Sequence, residues 1–226
     1  MDKRIAMSAS ALKPLLIALA ALTFGVASNA FAAAAGEVSN LSGTLSVKRA
    51  DGTSKLLSVK SEVQPGDTLA TEAGTYARVK FLDGGEVVLR PGTQIKVDAY
   101  SYDAAKPAGD SQILSLFKGG FRAITGLLGH RSKERVSYVT PTATIGIRGT
   151  NLGAQLDEDS SLSVDVAEGA VVVTNKGGQL EVTVGQFAFV KSGDSSPALV
   201  VGGKKVEIPQ NIGAGVGKNN SASCSM

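Results

Sequence analysis

Over most of this chain, apolar residues recur at every second position in short runs, and glycine ends the runs. In Tyr76–Leu82, Ala77, Val79 and Phe81 share one face while Tyr76, Arg78 and Lys80 share the other. A two-residue period is that of a strand with one buried side, because successive side chains point to opposite faces of a sheet. Asp83-Gly84-Gly85 follows as a hairpin-type turn, Glu86–Arg90 returns, and Pro91-Gly92 stops the chain. The same theme governs the later part. Leu162, Val164 and Val166 alternate with Ser163 and Asp165, and Glu168-Gly169 turns the chain. Ala170–Thr174 is nearly continuously apolar, as in a strand covered on both faces. Leu180, Val182 and Val184 then oppose Glu181 and Thr183, and Phe187 and Phe189 are expected on a buried face. No window after the leader sustains a 3.6-residue apolar period. The pattern therefore predicts an all-β fold, a sandwich, roll or barrel.

Two β lobes are expected, near 37–100 and 135–201, joined by 101–134. They are related by a faint echo. Gly43–Val47 followed by Asp51-Gly52 resembles Gly169–Val173 followed by Lys176-Gly177-Gly178. Between the lobes, Ile113–Leu128 reads as two strands around a Gly119-Gly120 turn. A membrane-contacting segment is the alternative, weakened because each glycine costs a helix roughly 1 kcal/mol. His130–Arg135 is the one basic cluster and reads as a solvated loop.

The first 32 residues read as a leader and not as fold. Lys3, Arg4 and Lys13 precede an apolar run, Leu15–Val26, that is short for a bilayer span. Ala30-Phe31-Ala32 fits a peptidase site, with cleavage expected after Ala32 and Ala30 or Ala34 as neighbouring choices. Such a leader predicts a periplasmic or secreted protein with no stable membrane anchor after cleavage. Removing it takes the net charge from +3 to +1. Near-neutral charge argues against a nucleic-acid partner, which needs clustered cations. The single cysteine, Cys224, cannot close an intramolecular disulfide, and it sits in a Gly-rich polar tail expected to be flexible over 202–226.

Catalytic, metal and cofactor residues are not expected. The chain has one histidine, His130, and no serine in a G-x-S-x-G elbow. Asp157-Glu158-Asp159 lacks the alternating spacing of a calcium loop and reads as a hairpin tip. The distinctive motif is Thr140-Pro141-Thr142-Ala143-Thr144-Ile145-Gly146-Ile147-Arg148-Gly149-Thr150. Its candidate structural or recognition residues are Thr140, Pro141, Gly146, Arg148, Gly149 and Thr150. A guanidinium in an apolar run must reach water or find several acceptors. Two roles stay open for Arg148: bonding carbonyls or an acid of a neighbouring turn to fix how the lobes meet, or reading an anion in a cleft between them.

Several landmarks in order carry a family resemblance. Leu45–Val47 precedes Val63–Leu69; the Ala77–Leu82 hairpin runs on to Pro91-Gly92. Lys118–Arg122, the Thr140–Thr150 motif, Val166–Val173 and Gly185-Gln186 come after it. Together they resemble the FecR domain over about residues 40–195. The resemblance implies an extracytoplasmic β module of bacterial trans-envelope signalling. Signalling members of the family join it to a cytoplasmic anti-sigma helix domain through one membrane span. Here only about a dozen residues precede the apolar run, too few for a core. The chain therefore resembles a free-standing exported FecR domain that binds no sigma factor. The resemblance implies a non-catalytic binding or scaffold protein that docks an envelope or periplasmic protein, through a strand edge or an inter-lobe groove. A carbohydrate or cell-wall binding surface module is the alternative, although no Trp and four Tyr make a poor sugar platform.

Overall fold

A computed structural model describes residues 33–212. The leader with its Ala30-Phe31-Ala32 site, and Cys224, lie outside the described residues. The first strands are β1 (Gly36–Leu41), β2 (Leu45–Lys48), β3 (Ser54–Leu57), β4 (Glu62–Val63), β5 (Thr68–Thr71), β6 (Ala77–Phe81), β7 (Glu86–Leu89) and β8 (Gln94–Ser101). Strand β9 (Ser111–Ile124) follows, then a one-turn helix, α1 (Leu127–Arg131). The remaining strands are β10 (Val136–Val139), β11 (Thr144–Ile147), β12 (Asn151–Leu156), β13 (Leu162–Glu168), β14 (Ala170–Asn175), β15 (Gly178–Thr183), β16 (Phe187–Val190) and β17 (Ala198–Val200). The fold is all-β, as the alternation predicts.

These strands form two sheets that share β9. One sheet runs β4-β1-β6-β7-β9-β12-β13-β16-β17. The other runs β3-β2-β5-β8-β9-β10-β11-β14-β15, antiparallel except where β10 lies parallel to β9. The first half of β9 is the centre of the second sheet, and its last six residues, from Gly119, are the centre of the first. Ile113–Leu128 is thus not a hairpin around Gly119-Gly120. It is one strand that bends between sheets and then a helical turn. Gly119 has φ +78°, and a Cβ there would lie 2.7 Å from the Thr93 backbone, so the bend needs glycine. Thr93 clamps it, its hydroxyl donating to Gly120 O at 2.8 Å and accepting from Gly120 N–H at 3.0 Å. A bend that changes sheet continues the strand direction, whereas a hairpin reverses it; sequence shows only the glycines.

The inner faces of the two sheets pack on each other. Phe121 of the first sheet lies 4.9 Å from the Tyr138 ring of the second, and Phe81 stacks on Tyr100 at 5.2 Å. The row Ala77, Leu89, Phe121, Ala154, Val164 and Ala188 crosses the first sheet and is wholly buried. In β16 the expected face is reversed. Ala188 and Val190 are buried, while Phe187 and Phe189 point outward, Phe189 being 37% exposed. The Gly185-Gln186 turn carries the chain from β15 in the second sheet to β16 in the first, so the alternation of β15 does not run on through it. In β14 only Val171 and Val173 are buried, so that strand is covered on one side and not on both.

The echoing segments become β2–β3 and β14–β15, the outermost hairpins of the second sheet at its two opposite edges. The chain paths around them differ. Strands β1–β8 pass between the sheets repeatedly, whereas β10–β17 are laid down as alternating hairpins, two strands per sheet. The ordered β domain also extends past residue 201. After β17 the chain crosses the outer face of the first sheet as a strap, burying Val206 and Ile212. Asn40 Nδ2 donates to Ile212 O at 3.3 Å on the far side.

Candidate functional site

The Thr140–Thr150 motif begins just after β10 and comprises β11 and the turns at both of its ends. Thr140 knots the first turn. Its hydroxyl accepts from Ala143 N–H at 2.9 Å and Thr142 N–H at 3.2 Å, and donates to Ala143 O at 2.8 Å. Pro141 is the exposed corner, and the buried Thr142 hydroxyl donates to Ser160 O. At the other end Thr150 is held by Thr125: Thr150 N–H donates to the Thr125 hydroxyl at 3.0 Å, which donates to Thr150 O at 2.8 Å. Gly149 between them has φ +69°, the left-handed region that side chains with a Cβ avoid, and its place for a Cβ is 3.3 Å from His130 Nδ1. Helix α1 sets His130 there, because buried Asp83 of the β6–β7 turn accepts Leu128 N–H at 3.1 Å.

Gly146 and Arg148 serve a different surface. Ser137, Gly146, Val172 and Glu181 stand side by side across β10, β11, β14 and β15. Missing side-chain volume at Gly146 opens a shallow depression of about 450 Å³ on the outer face, lined also by Lys133, Thr174 and Arg148. Arg148 is 59% exposed and faces Glu181 at 4.0 Å. It neither fixes the junction of the lobes nor lies in a cleft between them. Water solvates its charge, so no set of buried acceptors is required.

The buried arginine is Arg122, which sequence reasoning passed over. It sits in β9 on the outer face of the first sheet, 6% exposed. Its guanidinium donates to Asp165 Oδ2 at 2.6 Å, to Asn151 Oδ1 at 2.9 Å and twice to Val206 O, at 2.9 and 2.7 Å. Asp165 returns a contact by accepting Val206 N–H at 2.7 Å. A signal was present: Arg122 lies in the apolar run Phe121–Ile124 just as Arg148 lies in its own, and Asp165 breaks a valine pair. What covers them is far away in sequence.

The basic cluster is likewise more than a solvated loop. Arg131 forms a two-point pair with Asp110, Nε to Oδ2 at 2.6 Å and Nη2 to Oδ1 at 2.8 Å, and lies 4.7 Å from the Tyr102 ring centre. Hydrogen bonding from Arg131 holds the Asp110 carboxyl below the usual carboxylate range. Asp157-Glu158-Asp159 forms the exposed tip of the β12–β13 hairpin. Among the described residues, no three His, Cys, Asp or Glu side chains converge as metal ligands. No helix among them is long and apolar enough to cross a membrane.

Fold and motif define the class: an all-β domain of two packed sheets built about one shared central strand. Residues 67–172, from just before β5 to the middle of β14, match the family model described as FecR protein. The match is narrower than the 40–195 of the sequence resemblance and includes the whole Thr140–Thr150 motif. No curated protein matches the chain. Two crystal structures of a candidate anti-sigma factor from Parabacteroides distasonis ATCC 8503 are similar, with TM-scores of 0.47 and 0.46 at 17% and 16% identity. Each alignment covers 59% of this chain and 58% of the other, so the chain spans under two thirds of those proteins. A structure described as a cell surface anchoring domain aligns over 28% of this chain and 83% of its own, with TM-score 0.27 and 24% identity.

Proposed function

We propose that this chain is a non-catalytic, exported FecR-domain binding module that docks another envelope protein by strand addition at β15. The observation that carries the reading is the open edge of the second sheet. Strand β15 pairs with β14 alone along Gly178–Thr183. The other sheet edges are shorter: two residues in β4, three in β17 and four in β3. Edges are normally blunted by lysine, proline or brevity. Lys55 lies in β3, and Pro197 immediately precedes β17. β15, Gly-Gln-Leu-Glu-Val-Thr, has neither lysine nor proline.

The hydrogen-bond pattern tells which groups face outward. Thr183 N–H donates to the Gln186 side chain at 2.9 Å and not to β14, while Ala170 O, opposite it, accepts from Arg148 N–H at 2.9 Å. Pairing alternates every two residues, so the N–H groups of Gln179 and Glu181 point away from the sheet. A partner strand can bond there, with Val172 and the Gly146 depression offering a neighbouring pocket for its side chains. None of this requires a nucleophile, a metal or a cofactor.

The test is Glu181→Pro, which removes one outward N–H and leaves the β14 ladder intact. The variant should keep its melting temperature within a few degrees and lose the protein that the native chain retains from an envelope extract. Retention of that protein by the variant would move docking off β15. Recovery of glycan in place of protein would favour the cell-wall binding alternative.

A further inference from the structure

Among the described residues, the strap of residues 202–212 makes no backbone-to-backbone bonds to any strand, unlike β17 before it. It is held at Val206 and at Ile212. At Val206 the hold is complete: Asp165 takes its N–H and Arg122 its C=O, with Asn151 fixing the arginine. The Val206 side chain fills a hollow over Gly153, where an added Cβ would lie 2.6 Å from Val206 Cβ. Gly153, Arg122 and Asp165 are all buried beneath it. Such an arrangement grips one residue of an extended chain by both backbone groups and accepts a small apolar side chain.

We infer that Arg122, Asp165, Asn151 and the Gly153 hollow form a socket for an apolar residue of an extended peptide, and that the socket accepts residues 202–212 of a second copy when the chain's own strap is released. Several features favour this occupant. The segment already fits the socket atom for atom. Its entry is Gly202-Gly203, with Gly202 at φ +68°, a hinge between β17 and the socket. Exchange of one identical segment between copies needs no new contact chemistry. Within one molecule the strap competes at an effective concentration in the millimolar range, which keeps the socket filled by its own chain. The inference does not depend on docking at β15, which lies in the other sheet.

A fluorescent peptide of residues 202–212 tests it. In the full chain, Val206→Asp places a carboxylate against Asp165 and should expel the strap. This variant should bind the peptide at micromolar concentration, and the native chain at least 100-fold more weakly. A peptide carrying the same Val206→Asp change should not bind. Should the aspartate prevent folding, Val206→Gly empties the hollow without adding charge. In the native chain, the Val206 amide should exchange with solvent at least 100-fold faster than the Ala154 amide beneath it, through local opening. A folded variant that binds no peptide, or binds both peptides equally, overturns the socket. Equal exchange at Val206 and Ala154 overturns its release.

Discussion

Two arginines in apolar runs illustrate how little a residue's neighbours in sequence say about its burial. Arg148 immediately follows β11 and reaches water; Arg122 lies under the strap and cannot. Arg148→Met should therefore change stability by less than about 1 kcal/mol, as exposed pairs contribute little. Arg122→Met leaves Asp165 buried without its cation and should cost roughly 3–5 kcal/mol. Urea unfolding of both variants distinguishes them, and equal midpoints would show that the Arg122 network contributes nothing. Gly149→Val places a β-branched residue at φ +69° and should cost about 1–3 kcal/mol in the same assay. Unfolding that overlays the parent would mean that the Arg148–Thr150 turn relaxes freely.

Among elements, β9 and α1 organise the molecule. The strand belongs to both sheets, and the helix after it is fastened by Asp83 at its start and by the Arg131–Asp110 pair at its end. Asp110 has a folded pKa depressed below its unfolded value of about 3.9. Its contribution is fully present above that unfolded value and is lost as pH falls through the lower folded one. Asp110→Asn should lower the melting temperature clearly at pH 7, and the difference from the parent should shrink below about pH 3. A gap that is constant with pH would show that the carboxylate charge is not what holds α1.

For the whole molecule, the leader predicts export with cleavage near Ala32, since a basic start, a short apolar run and an A-x-A site occur in order. Intact mass of protein from the periplasm should lack residues 1–32. A mass that includes them would make the chain membrane-anchored and move its docking surface next to a bilayer. The β strands form one folding unit: β1–β8 and β10–β17 both lean on β9, so neither group has a complete sheet of its own.

Local information was enough for the strands, because alternation, β-branched residues and glycine turns act within a few residues. Ala77, Val79 and Phe81 of β6 and Leu162, Val164 and Val166 of β13 are buried as their spacing predicts. Within the motif, Thr140, Gly149 and Thr150 act on backbone close at hand or on one neighbouring turn. Tertiary structure alone decided which strands lie at the edges. β6, rich in alternation, is interior, whereas β15 is open. It alone made Gly119-Gly120 a crossing between sheets, and it alone brought Val206 over Gly153, more than fifty residues away in sequence. Side-chain period records which face of a strand is wet. Pairing partners and coverings are set by contacts between distant segments, and no local pattern encodes them.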